Sequence, residues 1–327
     1  MMPEEAVKFC RRILSDVSRS FALTIPMLDD RLYRPVMVTY LQDRLLDNFE
    51  DEGDNIPVER RKYLMDRVVE VFDPANEDPG EAINEIEENA DLMPADELYR
   101  LTANTHLVRE AYDGLDSRIK EFSHRWLVEM NEGMQEYLEK PVDTFSDLDE
   151  YCYYVAGTVG GFLTDLVVYL SDLSGASEKL LEENFVDAGL FLQKVNIIRD
   201  IKRDLRKREK NFWPLKELGI SPEELLDENC KERAMAALDK MLRDVKRHIP
   251  GLQSYMETLP QEFCGYRRFF AVNNTLGLAT LNKMENNPDV FYGRRKVKVS
   301  KLNFLRILKQ PQKIFRARCE KYMEERS

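Results

Sequence analysis

Apolar residues recur along this chain at steps of three and four, and long strict alternation is rare, so the pattern reads as helices and not strands. It predicts helices at about 4–26, 32–51, 57–72, 94–138, 147–171, 178–209, 222–247, 261–285 and 300–324. The stops fall where helix-ending residues gather: the Pro141 region, Ser-Gly-Ala-Ser at 174–177, Ile-Pro-Gly at 249–251 and Asn-Asn-Pro-Asp at 286–289. Residues 73–97, acidic and with three prolines, read as a solvated excursion carrying one short helix. No Gly/Ser linker and no internal repeat interrupts the series. The expectation is therefore an all-α, single-domain bundle over residues 1–327, of the kind that holds a cavity between facing helices.

Two of these helices break their own apolar pattern. In "AGLFLQKVNIIRDIKRDL" (188–205) the polar residues Gln193, Asn196, Asp200 and Asp204 share roughly 80° of arc, beside a sector of Ile197, Ile198, Ile201 and Leu205. In "YLQDRLLDNFEDE" (40–52) Asp47, Glu50 and Asp51 share one face, with Arg44 one turn earlier. Carboxylates that look into an apolar cavity cost several kcal/mol each unless cations match them. Oxygen ligands without His or Cys suit Mg²⁺, which keeps open positions for a substrate phosphate. One such stripe alone is more simply a solvated helix face; two together point to a metal site gripping a diphosphate. A di-iron carboxylate bundle would need two Glu-x-x-His pairs, and only Glu121 with His124 fits.

Charge sharpens this picture. The net charge is −12, which disfavours nucleic acid as a partner. Yet residues 290–319 carry ten basic residues and no acidic one, leaving 38 basic against 60 acidic residues elsewhere. The five scattered cysteines form no CxxC pair and fit a reducing compartment. The N-terminus has no signal-peptide order, and the most apolar run, "YVAGTVGGFLTDLVVYL", contains Asp165 and three glycines, so it reads as a core helix with no transmembrane segment. The expectation is a cytoplasmic protein.

Six segments in a fixed order carry a resemblance: "SRSFALTIPML" (18–28), "LLDNFEDE" (45–52), "YCYYVAGTVGG" (151–161), "GLFLQKVNIIRD" (189–200), "NFWP" (211–214) and "VFYGRRKVKV" (290–299). Together they resemble the squalene/phytoene synthase family, and within it the squalene synthases. The resemblance implies the helical isoprenoid-synthase fold and head-to-head condensation of two farnesyl diphosphates to presqualene diphosphate, followed by NADPH-dependent reduction to squalene. It implies Mg²⁺ held by Asp47, Glu50, Asp51, Asn196, Asp200 and Asp204, and substrate contacts from Ser18, Arg19, Ser20, Phe21, Arg44, Gln193 and Asn196. It places the family's catalytic tyrosine at Tyr154 and an aromatic facing the carbocation at Phe269, where a core role is the stronger alternative. NADPH would lie on Arg19, Arg44, Arg199, Lys296 and Lys298, because the chain has no GxGxxG loop.

Gly157, Gly160 and Gly161 either leave room for a prenyl tail or allow close helix packing. The basic C-terminal segment either rests on an anionic membrane surface as a peripheral contact or packs on the domain. The sequence departs from the family at Arg203, where an acid is usual, at Lys298, where arginine is usual, and at Asn273-Asn274, which replaces a Pro-Gln pair. A synthase stopping at dehydrosqualene or phytoene, and a non-catalytic assembly protein, are the competing functions.

Overall fold

A computed structural model describes residues 4–18, 20–51, 56–208 and 211–324. Among these residues the secondary structure is helical, without strands. They cluster into two compact units, Met1–Leu138 with Asp165–Ser171, and Glu139–Thr164 with Asp172–Ser327.

The first unit is organised by the Asp30–Asp51 helix, which packs against Val58–Val71, Thr105–Asp113 and Ser117–Tyr137. Its Leu32, Met37, Leu41, Leu45, Leu46 and Phe49 are buried, so the helix is surrounded and not merely amphipathic. Helix Glu4–Val17 closes the unit with Ala6, Val7, Cys10, Ile13 and Leu14, one apolar stripe at helical spacing. The acidic excursion contains the short α-helix Gly80–Glu88, as its pattern suggests, and a 3₁₀ turn at Ala90–Leu92.

The second unit is built around Gly175–Arg203, the longest helix at 29 residues. Ser174 starts it by accepting a hydrogen bond from the Ser177 amide (3.3 Å), so the Ser-Gly-Ala-Ser stop is also the next helix's cap. Lys231–Lys246, Ile249–Thr258 and Cys264–Met284 pack on it. Lys301–Lys309 and Pro311–Glu324 follow, the latter covering Cys264–Met284. All five cysteines are free thiols.

The differences from the expected elements have local causes. Residues 94–138 form three helices, Asp96–Thr102, Thr105–Asp113 and Ser117–Tyr137. The predicted helix at 300–324 breaks at Gln310, because the residue before Pro311 is steered out of the helical region. Ile-Pro-Gly at 249–251 does not end structure; it opens helix Ile249–Thr258, with Pro250 at a position whose missing N–H costs nothing. No helix among the described residues is long and apolar enough to cross a membrane.

Candidate active site

The predicted site residues lie in both units. In the first, Asp47, Glu50 and Asp51 sit in the last turn of Asp30–Asp51. Their carboxylate oxygens come within 4.8 Å of one another, and Glu50 is only 3% exposed. This is the negative end of the helix dipole, where carboxylates are disfavoured. Arg61, buried under the same turn, donates to the carbonyls of Phe49 (3.0 Å) and Glu50. Arg44 forms an ion pair with Asp47. Three converging carboxylates are an oxygen donor set that a hard divalent ion fits.

Ser18 accepts from the Phe21 amide (3.1 Å), and the Phe21 ring packs on Tyr40 at 5.2 Å, one turn before Arg44. Ser20 is exposed and its carbonyl accepts from Thr24. Thus Ser18, Phe21, Arg44 and the acidic turn belong to one stretch of surface on the first unit. Arg19 lies outside the described residues.

The sequence reading passed over two residues here. Tyr40 is pushed up in pKa chiefly by burial, against a hydrogen bond with Ser18. Asp43 is pushed up to about 8 by burial and by the Asp47 charge. It stands four residues before Asp47 and seven before Glu50, so helical spacing alone placed it on the acidic face. Its folded-state pKa lies above the ordinary 3.8, so metal-free protein loses stability as pH rises from about 4 to 8. Asp43→Asn should therefore raise the melting temperature in EDTA by an amount that grows across this window and levels off above pH 8. A gain independent of pH would contradict the assignment.

In the second unit two π-helical turns interrupt the α-helical ladder, Tyr153–Gly157 and Asp204–Arg208. Each carries a predicted site residue, Tyr154 and Asp204. An extra residue in a turn re-aims the side chains around it, and such turns concentrate at functional sites. The Tyr154 carbonyl is bonded by the Thr158 hydroxyl (2.7 Å), and the Tyr153 and Tyr154 rings meet edge-on at 5.6 Å.

Glycines set how closely this turn meets the Gly175–Arg203 helix. A Cβ on Gly189 would lie 2.6 Å from the Gly157 amide nitrogen, and one on Gly160 would lie 2.8 Å from the Phe185 carbonyl oxygen. At Gly160, then, close helix packing accounts for the missing side chain. Contacts of 160 with 185 and of 157 with 189 describe an antiparallel pair, which brings Tyr154 level with the turn that ends at Gln193.

Further along that helix, Asp200 is 8% exposed and pairs with Arg199 (2.9 Å) and with Lys296. Burial works to push the Asp200 carboxyl up, but the hydrogen bonds and charges of these two cations outweigh it and hold the carboxyl below its ordinary value. Lys202 donates to the Gly293 carbonyl, so the basic segment after residue 290 is tied to the end of the acidic helix at two points. Asp204 is 6% exposed, with Arg203 at 3.4 Å. The departure at Arg203 therefore brings a cation to an aspartate, not another ligand. Gln193 and Asn196 are half-buried, and Lys298 is exposed.

Phe269 lies among aromatic neighbours, 6% exposed and stacked on Tyr266 at 6.0 Å. Asn273 and Asn274 donate to the Phe269 and Phe270 carbonyls one turn back, which is how two amides are accommodated in a buried helix.

Comparison with known proteins adds to this geometry. A profile of the family described as squalene/phytoene synthase matches residues 14–303. Squalene synthase of Mus musculus is 32% identical over 302 residues, 90% of this chain and 67% of the mouse protein. Squalene synthase 1 of Arabidopsis thaliana is 32% identical over 301 residues, 89% of this chain and 68% of its relative. Among solved structures, the complex of TcSQS with the ligand BPH1237 superposes with a TM-score of 0.85 at 29% identity, covering 98% of this chain and 90% of that one. A dehydrosqualene synthase in complex with a ligand shares the fold, with a TM-score of 0.64 at 20% identity, covering 96% and 98%. The helical fold, the acidic turn of the first unit and the Asp200 helix of the second therefore belong to a prenyltransferase, and the chain is a member of the squalene/phytoene synthase family.

Proposed function

We propose that the two units act as one synthase domain. It joins two farnesyl diphosphates head to head to give presqualene diphosphate, then reduces that intermediate to squalene with NADPH. The observation that carries this reading is the convergence of Asp47, Glu50 and Asp51 at a helix end, in a chain whose relatives include squalene synthases. Those three carboxylates, with Asn196, Asp200 and Asp204, would hold Mg²⁺. The ion would neutralise charge on the departing diphosphate.

Arg44 and Arg199 orient the diphosphates as hydrogen-bond donors; Ser18, Ser20, Phe21 and Gln193 line the substrate, with Arg19 as a further donor. The buried apolar sides of both acidic helices exclude water from the carbocation, and Phe269 offers it a ring face. The Tyr154 phenol relays the proton lost on closing the cyclopropane to a diphosphate oxygen. Lys296 and Lys298, with Arg19, Arg44 and Arg199, take the phosphates of NADPH, which supplies the hydride. Lys296, paired with Asp200 here, would hold a phosphate of that cofactor in its place.

The test is incubation with farnesyl diphosphate and Mg²⁺, with and without NADPH, and identification of the lipid formed. Squalene that requires NADPH is expected. Dehydrosqualene in both cases would overturn the reductive half, and no turnover of farnesyl or geranylgeranyl diphosphate would overturn the enzyme.

The basic C-terminal segment supports a peripheral contact with an anionic membrane surface. On helix Lys301–Lys309 the inner side is packed through Ile307, 2% exposed, while Leu302 and Leu305 stand 81% and 54% exposed beside Lys301, Arg306 and Lys309. Apolar side chains ringed by cations suit lipid headgroups and would ease release of a C30 hydrocarbon. Co-sedimentation with phosphatidylserine vesicles is expected, and Leu302→Glu with Leu305→Glu should abolish it. Unchanged sedimentation of the double variant would refute the contact.

A further inference from the structure

Lys194 has no exposed surface, although it carries a charge in the middle of the apolar run "GLFLQKVNII". Its ammonium has three N–H bonds and meets three acceptors: Asp149 Oδ1, Asp244 Oδ2 and, at 3.1 Å, His248 Nε2. Arg247 joins the other oxygens of the same two carboxylates, Asp149 Oδ2 and Asp244 Oδ1, the latter at 2.9 Å. Two cations and two anions thus alternate in a closed ring. Burial works to raise the Asp149 carboxyl, but Arg247 and Lys194 outweigh it and keep it below the usual carboxylate range.

His248 extends the ring. Because Nε2 accepts from Lys194, Nδ1 carries the proton and donates to Asp187 Oδ1 at 2.6 Å. Asp149, Asp244 and His248 lie within 4.8 Å of one another, a spacing that a divalent ion could also use. The Lys194 ammonium already takes that central place.

The members come from three helices. Lys194 and Asp187 are on Gly175–Arg203, Asp244 is on Lys231–Lys246 with Arg247 and His248 just beyond it, and Asp149 is on Phe145–Cys152. Asp149 precedes Tyr154 by five residues. Lys194 follows Gln193 directly and precedes Asp200 by six residues, about 9 Å along the axis. It stands roughly a third of a turn round the helix from the acidic stripe.

Stability alone is a weak reason for such a ring, since buried ion pairs are often replaceable by apolar groups without loss. Direction is a stronger one. Gly189 against Gly157 fixes one point of contact between the Tyr154 segment and the stripe helix, and Lys194 with Asp149 fixes a second. Two points separated along a pair of rods set their relative rotation. We propose that Lys194 and its ring are positioning residues. They lock the rotation of the Gln193–Asn196–Asp200 stripe against the π-turn that presents the Tyr154 phenol.

This rests on the catalytic reading of Tyr154, so the experiment includes a readout independent of turnover. 3-Fluorotyrosine is placed at position 154 in the full chain, and its ¹⁹F line is recorded alongside melting temperature and steady-state kinetics. The triple variant Lys194→Met, Asp149→Leu, Asp244→Leu removes the ring's central charges together. It should melt within a few degrees of the parent, with the single narrow ¹⁹F line shifted and broadened. Its kcat should fall at least about tenfold, with KM for farnesyl diphosphate within about threefold. Asp149→Asn, which keeps the shape and removes one charge, should move the line in the same sense should the triple variant fail to fold. An unchanged ¹⁹F line in whichever variant folds would overturn the proposal, as would recovery of both melting temperature and kcat in the triple variant. A moved line in a protein that never turns over farnesyl diphosphate would overturn the proposed function and leave the lock standing.

Discussion

Asp51→Asn and Asp200→Asn are each expected to lower squalene formation by about 10³-fold or more while the protein remains folded. Asparagine keeps the shape of the side chain and an oxygen donor, but it removes the charge that a hard divalent ion needs. Asp51 belongs to three carboxylates drawn together at the unfavourable end of a helix. On the proposed function, a divalent cation offsets the repulsion among these three carboxylates.

At Asp200 the consequence for stability has a definite sign. Its carboxyl is held below the ordinary 3.8, so its contribution is present above that pH and is lost as pH falls through the folded-state value. Asp200→Asn should therefore destabilise the protein modestly at pH 7, by about 1–2 kcal/mol, since Lys296 and Arg199 lose a partner but keep access to water. Steady-state assay with labelled farnesyl diphosphate, paired with a melting curve, separates the two effects. Activity within tenfold of the parent in either variant would refute the metal assignment.

Gly189→Ala is the second large effect, and two principles predict opposite signs for it. Replacing a mid-helix glycine by alanine ordinarily stabilises by about 1 kcal/mol. Here the new Cβ would lie 2.6 Å from the Gly157 amide nitrogen, and backbone cannot swing aside as a side-chain end can. The helices must separate, at a cost of about 1–3 kcal/mol for overpacking. Because the contact lies beside the turn that carries Tyr154, a shift of about 1 Å there should also reduce turnover by about 10²-fold. Gly175→Ala is the control: nothing lies within 4 Å of its Cβ position, so it should be neutral or slightly stabilising. A stabilised, fully active Gly189→Ala protein would show that the close approach has no role.

Much of this was legible before any coordinates. The helices follow from apolar spacing, and the stripes of Asp47, Glu50 and Asp51 and of Asp200 and Asp204 stand out because each interrupts that spacing. What escaped notice depends on non-local partners. Pro250 reads as a stop or as a start, and only packing against Gly175–Arg203 makes Ile249–Thr258 a helix. Lys194 is conspicuous as the lone charge in its apolar run, but its acceptors lie 45 and more residues away and follow no spacing rule. Arg61 gives no signal at all, since any surface helix carries arginines. Asp43 is legible from spacing, four residues before Asp47, although the resembling segment starts only at Leu45. The two π-turns are not legible in the pattern, because the phase shift that one extra residue makes is lost in stretches as short as Tyr153–Gly157 and Asp204–Arg208.

The proposed function requires that the carboxylates of both acidic helices hold the ions that grip a diphosphate. The most direct measurement is anomalous diffraction from crystals grown with Mn²⁺ and a non-hydrolysable farnesyl thiodiphosphate. The account predicts Mn²⁺ peaks within about 2.5 Å of carboxylate oxygens from both Asp47–Asp51 and Asp200–Asp204, sharing one diphosphate. Peaks at only one of these sets, or at Asp149, Asp244 and His248 instead, would contradict it.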